Sequence, residues 1–160
     1  MARRISASLF RHLMNLWPPY RGAGIRVRRI ASDWTAVRVE LRAGLFNRNY
    51  LGTHFGGSLF AMTDPFHVLM LLHVLGDDYL VWDLSSAIEY LKPGRGTVGA
   101  DIRLEAGDVA AIRRDAAAGG RVVREFGVEI RDGEGELVAT IRKQLYVRLK
   151  KRARPAAAAA

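Results

Sequence analysis

The chain contains no cysteine. Disulfides and thiolate metal sites are thereby excluded, and the absence fits a reducing compartment, so a cytoplasmic location is expected. Lysine is scarce: among 25 basic residues only Lys92, Lys143, Lys150 and Lys151 are lysines. Acids number 16, which leaves a formal charge of +9 carried almost wholly by arginine. That balance favours anionic partners, whether nucleic acid, anionic lipid or a phosphorylated ligand. No clean apolar run reaches the ~20 residues of a membrane span. The longest, Leu59–Leu75, is interrupted by Asp64, Pro65, His67 and His73. It reads as a buried helix, and no transmembrane segment is expected. The usual export pattern is missing too, because Arg11 and His12 break the first apolar stretch. The segment GTHFGG lacks the Gly-Lys-Ser/Thr of a P-loop. His67 and His73 do not share the i, i+4 spacing of a helical metal pair, so no metal site and no separate cofactor is expected.

What is present is enough for a packed core. Hydrophobic residues make up 49% of 160, the size of one ordinary domain. Residues 1–149 are expected to form it, followed by a basic, alanine-rich tail over 150–160. Ile5–Trp17 has amphipathic helical spacing, with Leu9, Leu13, Leu16 and Trp17 on one face and Pro18-Pro19 as a stop. That face either covers one end of the core or touches a membrane. Alternating patterns then predict strands at Ile25–Arg28, around Val37–Leu41, over Tyr79–Lys92, at Val98–Leu104, around Phe126–Ile130 and about Leu137–Leu149. A short helix is expected over Asp108–Ala118, closed by Gly119-Gly120. On the long third strand, Leu80, Trp82, Leu84, Ile88 and Tyr90 are assigned to one face. Val81, Asp83, Ser85, Ala87 and Glu89 are assigned to the other. Lys143 falls on the apolar side of the last strand, which requires either a bulge or a buried partner. Strands grouped around one apolar helix give an α+β class with an antiparallel sheet.

The stretch NRNYLGTHFGGSLFAMTDPFH, Asn47–His67, carries the chemistry. A helix opening near Gly56-Gly57 would leave backbone N–H groups free, and glycine lets a ligand come close to them. An oxyanion could be stabilised there. Asp64 is a carboxylate inside an apolar run. It can deprotonate water or attack directly. Thr-Asp-Pro is also a helix start, so Asp64 can equally be an N-cap with Pro65 at the first helical position. If the helix begins at Gly56 instead, Pro65 should kink it, having no N–H for the Ala61 carbonyl. His54 either binds substrate or fills a turn. Asp83 is a second carboxylate to consider, with Ser85 beside it.

Three segments resemble the hotdog fold and, within it, the thioesterase-like family DUF4442. They are LWPPYRGAGI at Leu16–Ile25, the motif Asn47–Pro65, and VWDLSSAIEYLKPGRGTV at Val81–Val98. The resemblance implies a curved antiparallel sheet of about six strands wrapped around one long central helix. It also implies a homodimer, or dimer of dimers, with sheets joined edge to edge. It implies acyl thioester hydrolysis, with Asp64 as base or nucleophile, Gly56 and Gly57 amides as oxyanion donors, and Asn49 as a further catalytic position. His54 is displaced from the family's usual place and Phe55 stands there, which makes both candidate substrate contacts. On this arrangement Asp83 approaches Asp64 of the other subunit. Coenzyme A, as part of the substrate, would bring phosphates, and Lys92 and Arg95 are the candidate contacts. The alternative is a non-catalytic hotdog protein that binds an acyl ligand. Nucleic-acid binding ranks last, since no aromatic-basic motif supports it.

Overall fold

The structure is a computed structural model and describes residues 5–150. The tail expected over 150–160 lies, Lys150 apart, outside the described residues. The elements in chain order are α1 (Ala7–Leu16), α2 (Pro18–Ala23), β1 (Ile25–Ile30), β2 (Ala36–Arg42), α3 (Gly56–Ala61), α4 (Phe66–Leu75), β3 (Tyr79–Tyr90), β4 (Thr97–Arg103), α5 (Ala106–Ala117), β5 (Val122–Arg131) and β6 (Leu137–Leu149). The strands form one antiparallel sheet in the order β1-β2-β4-β5-β6-β3. The expected α+β hotdog arrangement is thus the observed one.

Alternation is clearest on β6. Ala139, Ile141, Lys143, Leu145, Val147 and Leu149 are all buried, as a period of two requires. The apolar ones among them, with Val39, Leu41, Ala100, Ile102 and Ile130, form the sheet side of the core. Phe66, Met70, Leu71 and Leu75 of α4 form the helix side. The stretch 56–75 has the length and apolarity of a membrane span, but half of it is buried inside this protein.

Two expectations need correction. The first is the single long helix. The run is two helices, α3 and α4, separated by the turn Met62–Pro65. Pro65 has no N–H to offer the Ala61 carbonyl. The Tyr20 hydroxyl donates to that carbonyl instead, at 3.2 Å, from α2 far away in sequence. Asp64 does not act as the cap: no side chain caps α4. The prolines Pro18-Pro19 end α1 as expected. They also open α2, where the first helical positions need no N–H, and α2 delivers Tyr20 to the break.

The second correction concerns β3. Its pairing with β6 slips between Asp83 and Ser85, leaving Leu84 as the extra residue of a bulge. The bulge reverses the faces midway. Val81 and Asp83 stand opposite the buried Val147 and Leu145, and beyond the bulge Ser86, Ile88 and Tyr90 stand opposite Lys143, Ile141 and Ala139. Trp82 and Leu84, expected on the same face as Ile88, are exposed, whereas Ile88 packs against the core.

The Tyr20 hydroxyl is the partner the broken helix depends on. Tyr20→Phe leaves the Ala61 carbonyl without its donor, and we expect a loss of about 1–3 kcal/mol, read as a lower urea midpoint at unchanged slope.

Candidate functional site

The candidate residues fall into two clusters. The first lines a hollow of about 520 Å³ whose walls include Asn49, His54, Phe55, Gly56, Gly57, Leu59, Tyr90 and Lys92. Six expected site residues meet here: Asn49, His54, Phe55, Gly56, Gly57 and Lys92. The loop that carries them is shaped by Asn49. Its amide donates to Thr53 Oγ1 (2.9 Å) and to the His54 carbonyl (3.2 Å). Its oxygen accepts from the N–H groups of Leu51 (3.0 Å) and Thr53 (3.1 Å). The Asn49 side chain therefore builds the turn that presents the glycines.

At the start of α3, the N–H groups of Ser58 and Leu59 return to the Phe55 carbonyl. Those of Gly56 and Gly57 precede the first helical hydrogen bond and have no partner among the described residues. The two glycines lie directly against neighbouring rings. A Cβ on Gly56 would stand 2.8 Å from the Tyr90 hydroxyl, and a Cβ on Gly57 would strike the Phe55 ring. Tyr90 and Phe55 thus close over the glycine pair, one from β3 and one from the preceding loop.

His54 is 3% exposed. Its backbone N–H donates to the Gly94 carbonyl, and its Nε2–H donates to the Gly96 carbonyl at 3.2 Å. It ties the glycine loop to the Pro93–Gly96 turn. With Nε2 carrying the proton, Nδ1 is an acceptor, and it has no partner. Burial lowers the pKa of the ring. Lys92 reaches the rim, but its ammonium lies 2.7 Å from Asp132. Arg95 is exposed in the turn beyond. Ser85 is not in either cluster: it is on the outer face of β3, 3.4 Å from Gln144.

The second cluster is centred on Lys143, which is 2% exposed. Its ammonium donates to Asp64 twice, to the backbone carbonyl and to Oδ1, the latter at 2.9 Å. Asp83 Oδ1 lies 3.0 Å away, an ion pair without hydrogen-bond alignment. The open question at Lys143 resolves in favour of a partner: it keeps its inward position among the buried residues of β6 and is answered by oxygens, while the bulge lies on the facing strand and does not turn the lysine outward. The two carboxylates meet within one chain, bridged by the lysine, each with a side chain nearly half exposed. Asp64 does not line the hollow of its own chain. His67 is 1% exposed and stacks on Phe126 at 4.7 Å. Burial, and then the Lys143 charge, lower its pKa to about 4. His73 stacks on Trp34 and donates to the Leu69 carbonyl, so the two histidines serve different contacts. Among the described residues no three or more His, Asp and Glu side chains converge as a metal site would need.

Sequence reasoning did not place Tyr90 at the glycine pair or Tyr20 at the helix break. Lys143 did leave a signal, as a cation at a core position.

The family model described as "Domain of unknown function (DUF4442)" matches residues 6–147. No curated protein matches the chain. Solved structures do. One is a Pseudomonas aeruginosa protein of unknown function described as a "probable thioesterase", with a TM-score of 0.78 at 20% identity, covering 94% of this chain and 100% of that one. Another is a thioesterase from Haemophilus influenzae, at 0.67 and 17%, covering 92% and 93%. A mutant thioesterase from Pseudomonas aeruginosa gives 0.67 and 12%, covering 93% and 98%. At these identities the likeness establishes the fold.

His67 makes stability depend on pH. Its folded pKa, about 4, is below the ordinary 6.5, so the unfolded chain binds the extra proton first. Its contribution is fully present above pH 6.5 and is lost as pH falls through that window. We expect roughly 3 kcal/mol to disappear between those limits. In urea titrations at a series of pH values, His67→Gln should flatten this part of the profile.

Proposed function

We propose, from the premise that this chain belongs to the DUF4442 family, that it hydrolyses acyl thioesters carried on coenzyme A or an acyl-carrier group. The observation that supports this reading best is the hollow at Gly56-Gly57. Two backbone N–H groups without partners stand at its mouth, and Phe55, Leu59 and Tyr90 give it apolar walls. An acyl chain can lie along those walls with its thioester carbonyl oxygen toward the amides. As the carbonyl is attacked, the developing oxyanion gains what the ground state does not. One such donor is worth about 2.7–4 kcal/mol.

Asp64 is the base or nucleophile in this reading. As base it takes a proton from water, whose oxygen attacks the carbonyl carbon; the C–S bond then breaks and the thiol leaves. As nucleophile its carboxylate oxygen attacks the carbonyl carbon, the C–S bond breaks and the thiolate leaves, and water then cleaves the resulting anhydride, releasing the acyl acid and restoring the carboxylate. In either case Lys143 sets where the carboxylate stands. Asp64 and the hollow of the same chain do not coincide, and the dimer supplies the reason. β3 is the last strand of the sheet and pairs only with β6. A second copy joined along its free edge would bring one protomer's Asp64 and Asp83 toward the other's glycine pair. We place this dimer in the cytoplasm, in keeping with the lack of cysteine. Lys92 and Arg95, on the rim and in the next turn, are the proposed contacts for coenzyme A phosphates; Lys92 would exchange Asp132 for one.

A second reading has one observation in its favour. The Phe55 ring covers Gly57, which suits an acyl-binding protein that holds its ligand without turnover.

Thiol release over a broad panel of acyl-CoA substrates separates the two. The hydrolase reading expects turnover that falls at least about 100-fold in Asp64→Asn, with the fold retained and a solution mass of two chains. Retention of an acyl ligand with no thiol released from any substrate would establish the binding reading instead.

A further inference from the structure

α1 has two apolar faces, and the sheet uses one of them. Ala7 and Met14 are buried and Phe10 packs against the core. Leu9, Leu13, Leu16 and Trp17 are exposed, at 53%, 46%, 63% and 47%. Between α1 and the break in the central helix runs a groove of about 500 Å³. Every residue lining it is apolar, with Leu13, Leu16 and Trp17 on one side and Pro65 and Leu69 on the other. Leu72 continues the patch along α4. The helix thus covers one end of the core, as expected, and still presents a second apolar stripe.

The surroundings of this patch say what covers it. From Met1 to Ser32 the sequence has Arg3, Arg4, Arg11, Arg21, Arg26, Arg28 and Arg29 and no acidic residue. Arg21, Arg26 and His12 share a surface hollow with Leu16, at the edge of the apolar stripe. Neither Arg21 nor Arg26 is in an ion pair with a carboxylate among the described residues. Leucines with a tryptophan, bordered by arginines, match the chemistry of a helix lying at the level of lipid headgroups. A second copy of the chain would bring the same acid-free segment against itself, and like charges across a contact oppose it. Anionic headgroups bring the missing countercharge, each arginine near such a surface adding to the attraction.

We propose that the α1–α4 face docks on an anionic lipid bilayer, with Leu9, Leu13, Leu16 and Trp17 entering the interface and Arg21 and Arg26 meeting headgroup phosphates. The face is separate from the glycine hollow, and the proposal does not depend on hydrolysis. It makes the protein peripheral, seated on the membrane by α1.

Vesicle flotation of the full chain tests this, with phosphatidylcholine alone compared with a phosphatidylcholine–phosphatidylglycerol mixture. Binding is expected to the mixture, weakening steeply as salt rises. Arg21→Glu with Arg26→Glu should lower it by about tenfold or more, and Leu13→Glu with Leu16→Glu should abolish it. Both pairs are exposed, so far-ultraviolet circular dichroism should be unchanged. Absence of binding to the mixed vesicles overturns the proposal. So does equal binding to both vesicle types, or binding indifferent to the leucine variants. A larger oligomer in light scattering that Leu13→Glu with Leu16→Glu dissolves would assign the face to a second copy instead.

Discussion

A buried ammonium group has to be answered by oxygen atoms, and in this protein that requirement organises the centre of the molecule. Lys143 sits in the run of inward positions on β6, where every neighbour of the same parity is apolar. An unpaired cation there would be costly. Its three oxygen partners come from two distant places: the carbonyl and carboxylate of Asp64 at the helix break, and the carboxylate of Asp83 just before the β3 bulge. The lysine therefore pins the interrupted central helix to the last two strands of the sheet. It also decides where the candidate base stands, which a surface ion pair between flexible side chains would not do.

The break and the cation depend on one another. An unbroken helix would direct Asp64 by helical geometry alone. Pro65 ends that regularity, and the freed Ala61 carbonyl needs a donor from elsewhere. Tyr20 provides it from a buried position; burial, and then the Asp64 charge, push its hydroxyl pKa up, so it remains a donor. Tyr20 reaches this place because Pro18-Pro19 turn the chain from α1 into α2. The same turn leaves α1 lying beside Pro65 and Leu69. The apolar groove and the candidate catalytic carboxylate thus adjoin at the helix break, where Pro65 lines the first and directly follows the second.

Much of the architecture was legible because it is local. The alternation of Ala139, Ile141, Leu145 and Val147 identified β6 to its ends, and the pattern in Val37–Leu41 identified β2. The glycine motif was legible too, since its loop is built from contacts within a few residues: Asn49 with Leu51, Thr53 and His54. What eluded sequence reasoning was non-local. The bulge at Leu84 belongs to the register of two strands far apart in the chain, so the faces assigned to Trp82, Leu84, Ile88 and Tyr90 did not hold together. For the same reason Tyr90 was not seen over Gly56, and Asp83 was not seen beside Lys143 of its own chain.

Residue pattern alone was enough to predict an α+β sheet around an apolar helix, to require that Pro65 either open a helix behind an Asp64 cap or kink one begun at Gly56, and to require a bulge or a partner at Lys143. These follow from periodicity, from the missing proline N–H and from the cost of a buried charge, all of which act at the residue concerned. Tertiary structure alone decided which oxygens answer Lys143, which hydroxyl meets the Ala61 carbonyl, and which ring closes over the glycine pair. Those choices depend on how strands and helices register across long separations, and no local rule contains that information.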